Sequence, residues 1–506
     1  MDTKMLEYNS LDSACTLEIK NAFWADLIQG GFLPAYDMTL YLFPVLTFLQ
    51  TRGIRVDHDA LIKTRDEILQ TAANKQSELD QLAGRPLNVN SSQDCQRYFY
   101  GELAIPPYYN EGKVTVDDLA LQRLSRGTAK RPGLRQAKLV QDIRSLQKLH
   151  GTYLNIEFDP DGRMRCSYNP RGTKFGRLSS SKTIFGTGTN NQNLPQEFKR
   201  FLVADTGCVF WEVDKRQAEW VVVAYLTGDA NMLSAVENGL DTHVHTASLI
   251  FGANKDIITL ENKLVGMFSE PDTISEIRAS EPLLAEYTSN FPRTMSGRQC
   301  GKKSNHGLNY DESPGRWSLE NEVELSEGKR VHAMYHNSYP GIRIWYESIK
   351  RQLQRDRTLT NCFGRKCRFM GGWDIDLFKS AYSYLPQSTV VDSLNQGMVK
   401  IYADEHLCNT QFYNIDILAQ VHDSVLMQIP IEVVRQVARF LEVQAIIYDM
   451  VSPELHYNGR SFKIATDSKF GMNWGGASKT NEFGMREVHN HNEILALLDS
   501  HEQQGT

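Results

Sequence analysis

The period of apolar and polar positions changes several times along this chain, and each change marks an element. Leu11, Cys15, Ile19 and Ala22 recur at helical spacing, so residues 1 to about 35 read as a helix ended by Gly30-Gly31. From about 36 to 150 the pattern stays mostly helical, with amphipathic stretches near 36–83 and 134–154 and a break at Pro106-Pro107. Long helices around a small basic loop suit a lever that grips a duplex. Residues 158–168 alternate about Asp161-Gly162, a turn signal that predicts a hairpin. The Gly, Ser, Thr and Asn-rich stretch 171–195 reads either as a linker or as an ordered loop. The interleaved Arg171, Lys174, Arg177 and Lys182 favour a loop that follows a phosphate backbone. A strand at 207–214 then runs into a helix at 217–226, a mixed helical region spans 228–360, and a hairpin at 415–429 precedes a helix at 431–449. After Trp474 the chain is mostly polar. Its apolar cluster Ile494, Leu495, Leu497 and Leu498 predicts an exposed short helix on an appended tail, either poorly ordered or docking a partner.

At 506 residues the chain exceeds one hydrophobic core, so several subdomains are expected. Its 41% hydrophobic and 23% charged content is that of ordinary globular material. There is no uninterrupted apolar run of about 18 residues, and MDTKMLEYNSLD lacks a basic start followed by an apolar stretch. No membrane partner is expected, and the expected compartment is the cytoplasm. The eight cysteines are scattered, and Cys362 and Cys367 are read as having neither a second pair nor a His-x-x-x-His to match them, so reduced thiols and no zinc site are expected. The net charge of −6 argues against a coat of nucleic acid, yet basic clusters at 130–135, 163–177, 302–303 and 365–368 are enough for a phosphate-binding groove.

Three segments carry chemistry. In CVFWEVD the strand ends on Asp214, a carboxylate suited to Mg²⁺, although an aspartate here also serves as a helix cap. In VHDSV an apolar hairpin places Asp423 at its tip, where Asn-Gly would turn more easily. Two such aspartates brought together hold two divalent ions about 3.5 to 4 Å apart for an in-line displacement. Between them in sequence, Arg298, Lys302, His306 and Tyr310 recur every four residues and form one helical stripe. Cations four apart repel, so a bound anion such as a triphosphate is the gain that explains them, against a plain solvated basic face.

These segments resemble the three polymerase motifs of family A DNA polymerases, the DNA polymerase I type. Asp214-x-x-Gln217-x-Glu219 resembles the first motif, Arg298 through Tyr310 the second, and His422-Asp423 the third. FGRLSSS at 175–181 with QNLP at 192–195 resembles the template-primer segment, and DTHVHTA at 241–247 the D-x-H-x-x-T-A helix. LQKLHGTYL at 146–154 is similar to the thumb helix, 358–368 to the strand pair after the fingers, and DSKFGMNW at 467–474 to the family's usual end. The resemblance spans about 36–474 in the family's order.

The resemblance implies an α/β (α+β) right-hand fold with an antiparallel palm sheet surrounded by helices. The thumb would be 36–200, the palm 201–235 and 358–474, and the fingers 236–357, with 1–35 an exonuclease-end remnant or docking helix and 475–506 a tail. It implies DNA-templated extension of a primer 3′-OH with dNTPs, in phage or bacterial replication, using two Mg²⁺ ions for which Mn²⁺ can substitute. Asp214, Asp423 and the Lys215 carbonyl would hold the ions. Arg298 and Lys302 would hold the triphosphate, with Lys302 protonating pyrophosphate, and His306, Tyr310, Gln217 and His243 would complete the dNTP pocket. Glu219 matches the residue that excludes a ribose 2′-hydroxyl. Arg177, Ser179, Asn193, Lys379, Gln387 and His422 would contact primer-template DNA, in part through minor-groove acceptors common to every base pair.

Two departures stand out. Ser424 replaces the glutamate that usually follows His-Asp, which removes a negative charge near the ions. His306 replaces an aromatic Phe or Tyr, and implies altered dideoxynucleotide discrimination and a pH-sensitive nucleotide affinity. Near the start, Tyr8-x-x-x-Asp12 resembles the last motif of the family's 3′–5′ exonuclease, without its other metal carboxylates. No proofreading by this chain alone is therefore expected. Either a separate exonuclease packs on 1–35, or the chain is one part of a divided polymerase, or the helix is inert; other replisome proteins are further partners. The alternatives are a repair or translesion enzyme of the same fold and a silent primer-template binding subunit, which would not need paired carboxylates.

Overall fold

A computed structural model describes residues 3–110, 112–127, 131–266, 268, 270–408 and 410–504. A nine-stranded sheet lies at its centre, in the order Asp416–Val421, Ser424–Pro430, Cys208–Lys215, Thr466–Gly471, Gly484–Val488, Asn473–Gly476, Leu202–Val203, Ile54–Val56 and Arg163–Met164. All its pairs are antiparallel except Asn473–Gly476 with Gly484–Val488. Along Cys208–Lys215 the period of two sends Val209, Trp211 and Val213 into one apolar cluster and Phe210 into another on the opposite side. Glu212 and Asp214 share the side of Phe210, so the last acidic position leaves the core at the strand end.

The helix Ile375–Ala403 joins the two halves of the molecule. Its first part, with Ala381, Tyr382, Tyr384 and Leu385, packs into the cluster built on the helices of 218–357. Its last part, with Leu394, Met398 and Ile401, packs on the sheet. Pro386 lies inside it and removes one N–H from the helical ladder. Within the helical region, Thr242–Phe251 packs against Gly297–Leu308 at a close approach that needs a glycine. A Cβ on Gly301 would lie 2.2 Å from the His243 carbonyl oxygen. Residues 79–143 have their own core, around Leu79, Phe99, Leu121, Val140 and Ile143.

Several sequence expectations change. The turn at Asp161-Gly162 forms, with the Gly162 N–H donating to the Asp159 carbonyl at 2.8 Å. The strands of 158–168, however, pair elsewhere: Arg163–Met164 with Ile54–Val56, and Ser167–Asn169 with Ser179–Ser181. A turn signal fixes the reversal and leaves the partner open. The predicted helix 431–449 is two helices, Ile431–Arg435 and Val437–Val451. The region after Trp474 is no loose tail. Gly484–Val488 joins the sheet, and the helix His491–Gln504 buries Ile494, Leu497 and Leu498 at 1–3% exposure. Those residues meet Phe440 and Val443 in the sheet's core, so the apolar cluster read as exposed is an internal one.

The helix Thr3–Gly30 touches the rest of the protein near its end, where Lys366 donates to the Gly30 carbonyl at 2.9 Å and Trp24 meets Tyr36. None of its residues is buried, and Tyr8, Leu11, Ile19 and Phe23 are exposed. Of the basic cluster at 130–135, Lys130 lies outside the described residues, and Arg135 pairs with Glu78 at 2.9 Å. Among the described residues no helix is long and apolar enough to cross a membrane.

Candidate active site

A cleft of about 680 Å³ opens where the sheet meets the helices, and it is lined by Asp214, Glu219, Arg298, Lys302, His306, Tyr310 and Asp423 among others. Asp214 ends the central strand, paired with Ser424 on one side and Asp467 on the other. Asp423 sits in the neighbouring tight turn, which His422 makes in the left-handed region at φ +55°. The Lys215 N–H donates to the Asp423 carbonyl at 3.3 Å and holds that turn beside the strand end. Two residues 209 positions apart in sequence thus share one sheet edge, by the difference 423 − 214.

Burial pushes the Asp214 carboxyl up to about 6, and the charge of Asp423 adds to it. Burial likewise raises Asp423, with Glu219 contributing. Lys469 opposes this from the adjoining strand, reaching Glu212 at 3.1 Å and Asp214 at 3.4 Å. Two half-sheltered carboxylates, both raised by burial and each by a neighbouring carboxylate, are what a divalent cation relieves, so the donor set fits hard cations. The Lys215 side chain points the other way. Its Nζ donates to the Val451 carbonyl inside the core, and burial pulls its ammonium down to about 7. Only its backbone remains for the cleft.

On the facing wall, Ser296 caps the helix Gly297–Leu308 by accepting from the Gln299 N–H at 3.1 Å. Arg298, Lys302 and His306 follow along its cleft side, while Tyr310 lies beyond the helix end rather than on it. A bound anion is not the sole offset for the two cations, because the protein supplies a carboxylate to one of them. Asp241, the cap of Thr242–Phe251, accepts from Arg298 Nε at 2.8 Å. Lys302 is exposed and makes no ion pair or hydrogen bond among the described residues. His243 is 6% exposed, and its Nδ1 lies 3.1 Å from Asn305 Nδ2. Burial lowers the His243 imidazole to about 3, helped by Arg298, His306 and Lys302 and opposed by Asp241, so the ring is neutral near pH 7.

Glu219 ties the two walls together. Its Oε1 accepts from Arg177 at 2.7 Å and its Oε2 from the Tyr310 hydroxyl at 2.6 Å. Gln217, in the left-handed region at φ +51°, turns strand into helix and accepts from the Thr242 N–H at 3.0 Å. Ser424, which stands where the motif has a glutamate, closes the hairpin by donating to the Val421 carbonyl at 3.1 Å.

The sequence profile of DNA polymerase family A matches residues 58–266 and 258–476. This chain belongs to DNA polymerase family A. Among curated relatives, "DNA polymerase I, thermostable" of Thermus aquaticus is 26% identical over 431 residues, covering 81% of this chain and 45% of that protein. "DNA polymerase I" of Chloroflexus aurantiacus is 26% identical over 467 residues, covering 87% of this chain and 43% of that protein. The chain therefore spans less than half the length of these relatives. A solved structure, the POL domain of Pol1 from M. smegmatis in complex with DNA primer-template and dNTP, aligns with a TM-score of 0.67 at 20% identity. The alignment covers 86% of this chain and 70% of that one, and it shows the fold to be the right-hand polymerase fold.

Not every residue that the sequence singles out in this family A chain lies in the cleft. His422 is exposed beside Asp423, and Arg177 reaches the cleft through Glu219. Ser179 lies in the strand Ser179–Ser181, Asn193 is exposed in the short turn Asn191–Asn193, and Lys379 and Gln387 lie on Ile375–Ala403. None of these four lines the cleft. Tyr8 and Asp12 are exposed on the separate first helix. Conversely, Asp241, Asn305, Asp467, Lys469 and Glu487 line the cleft without having been singled out. Lys469 stands opposite Glu212 in the strand pairing, a meeting that the register of the sheet decides.

Proposed function

We propose that this chain is a DNA-templated DNA polymerase that extends a primer 3′-OH with dNTPs, in bacterial or phage replication. The observation that carries the reading is the convergence on one cleft of Asp214 and Asp423 from the sheet, and Arg298 and Lys302 from the facing helix. In this reading the 3′-oxygen forms a bond to the α-phosphorus of the nucleotide, the bond to the β-phosphate bridging oxygen breaks, and pyrophosphate leaves. Asp214, Asp423 and the Lys215 carbonyl would hold two Mg²⁺ or Mn²⁺ ions, which supply charge stabilisation of the attacking and leaving oxygens. Arg298 forks onto the triphosphate while Lys302, which has no ion pair or hydrogen bond among the described residues, delivers the proton to the departing pyrophosphate.

Neutral His243 and the adjoining His306 pack along the phosphates, Gln217 sets the strand-to-helix turn, and Tyr310 stacks beside the new pair. Glu219 occupies the space a ribose 2′-hydroxyl needs. Arg177, Ser179, Asn193, Lys379, Gln387 and His422 follow the primer and template, with the thumb at 36–200, fingers at 236–357 and palm at 201–235 and 358–474. Tyr8 and Leu11 are exposed on Thr3–Gly30, where a separate 3′–5′ exonuclease body would find an apolar surface to pack on.

The test is extension of a labelled primer on a DNA template with Mg²⁺ and dNTPs, alongside Asp423→Asn. Extension by the wild type alone is expected, with no shortening of a 3′-mismatched primer. A wild type that binds primer-template yet adds no nucleotide would instead make it a silent binding subunit.

A further inference from the structure

No His-x-x-x-His is expected beside the cysteines, yet His332-x-x-x-His336 is such a pair. These histidines lie one turn apart on the helix Leu325–Ser338, with ring centroids 4.6 Å apart. Asp311, the residue after Tyr310, faces them. One ligand atom from each of Asp311, His332 and His336 lies within 4.8 Å of the other two. His336 is 3% exposed, yet neither of its ring nitrogens has a hydrogen-bond partner among the described residues. A neutral imidazole has one N–H to donate and one lone pair to fill, and burying both unpaired is costly unless something occupies the space between the three side chains. Arg343, on the adjoining helix Pro340–Asp356, is the nearby cation. It is exposed and makes no ion pair with Asp311 among the described residues.

We propose that Asp311, His332 and His336 form a transition-metal site, separate from the Asp214–Asp423 pair, that takes Zn²⁺. Two imidazoles and one carboxylate are donors that Zn²⁺ accepts in tetrahedral sites, with about 2.0–2.2 Å to each ligand. Mg²⁺ prefers oxygen throughout and is excluded by the two nitrogens. Three protein ligands leave the fourth position to water. The ion joins the turn that carries Tyr310 to the helix Leu325–Ser338. That helix already holds the same region, since the Tyr335 hydroxyl donates to Asn309 Oδ1 at 2.8 Å and to Asn305 Oδ1 at 3.3 Å. Occupancy therefore fixes Tyr310, and through it Glu219, without touching nucleotide.

The test uses the full chain bearing Asp423→Asn, so that the cleft carboxylates contribute little, stripped of metal by a chelator and without DNA or dNTP. Titration with Co²⁺ is expected to give one equivalent of a visible-absorbing tetrahedral complex, bleached by Zn²⁺, with Zn²⁺ also raising the melting temperature. His332→Gln should abolish the absorption and Asp311→Asn should weaken binding at least about tenfold, equal to about 1.4 kcal/mol. Absence of the band, or its survival in both variants, overturns the site. Should His332→Gln not fold, Asp311→Asn alone decides. Because neither catalysis nor DNA binding is read, failure here leaves the polymerase proposal standing, and the reverse holds too.

Discussion

The Tyr310 hydroxyl donates to Glu219 at 2.6 Å, and the same carboxylate accepts from Arg177 at 2.7 Å. A residue after the Gly297–Leu308 helix, one on the first turn of Ala218–Thr227 and one in the loop before Ser179–Ser181 are thereby fixed to one another. Glu219→Ala removes both bonds and opens the space beside the sugar. Ribonucleotide incorporation relative to dNTPs should rise at least about tenfold, the equivalent of about 1.4 kcal/mol of lost discrimination. Tyr310→Phe keeps the carboxylate and loses one charged hydrogen bond worth about 1.5–3 kcal/mol. It should raise the dNTP KM with little change in ribonucleotide exclusion. Equal exclusion in wild type and Glu219→Ala, measured by competitive incorporation, would remove Glu219 from the gate.

The cation stripe makes a separable prediction. Arg298 is held by Asp241 while Lys302 makes no ion pair among the described residues, so Asp241→Asn should disturb Arg298 and leave Lys302 in place while keeping a side chain able to cap Thr242–Phe251. Its dNTP KM should rise several-fold with kcat nearly unchanged. Lys302→Ala should instead lower kcat as well, if Lys302 delivers the proton. Steady-state kinetics on a primed template distinguishes the two, and identical patterns would refute the division of roles.

Asp214 carries a folded-state pKa of about 6 against an ordinary carboxylate value of 3.8. The folded chain holds this proton more tightly, so Asp214 costs no stability below about pH 4 and progressively destabilises the fold as pH rises through 6. In a chelator, Asp214→Asn should melt at a higher temperature than wild type at pH 7.5, by roughly 1 kcal/mol after solvent screening, and match it near pH 4. Added Mg²⁺ should close the gap at pH 7.5 by stabilising the wild type alone. A variant less stable than wild type at pH 7.5 without metal would contradict the charge argument.

The two ends of the described chain should respond oppositely to change. Leu497→Ala creates a cavity beneath the helix His491–Gln504 and should cost about 2–5 kcal/mol, seen as a lower denaturant midpoint. Deleting 1–28 removes no buried side chain among the described residues and loses contacts such as Trp24 against Tyr36, so the melting temperature should stay within the error of measurement. A large loss on deletion would mean that Thr3–Gly30 packs on the body of the protein in solution.

Much of this protein was legible in one dimension because the physics involved is local. Periodicity gave the strand ending at Asp214, the hairpin carrying Asp423 and the helix of Arg298 and Lys302, since side-chain period and backbone conformation are set within a few residues. The same reading misplaced Tyr310 by continuing a helical spacing past the helix end, and it split 158–168 wrongly because a turn does not name the strand's partner. Ile494, Leu497 and Leu498 read as exposed because their burial depends on Phe440 and Val443, about fifty residues earlier. Only the tertiary structure brings Asp241 to Arg298, Lys469 to Asp214 and Glu219 to Tyr310, because charge and hydrogen bonding act through space while sequence records separation along the chain. The sequence thus determined which residues carry charge and which elements present them; the meeting of Asp214 with Asp423 was decided by the register of an antiparallel sheet whose strands lie some two hundred residues apart.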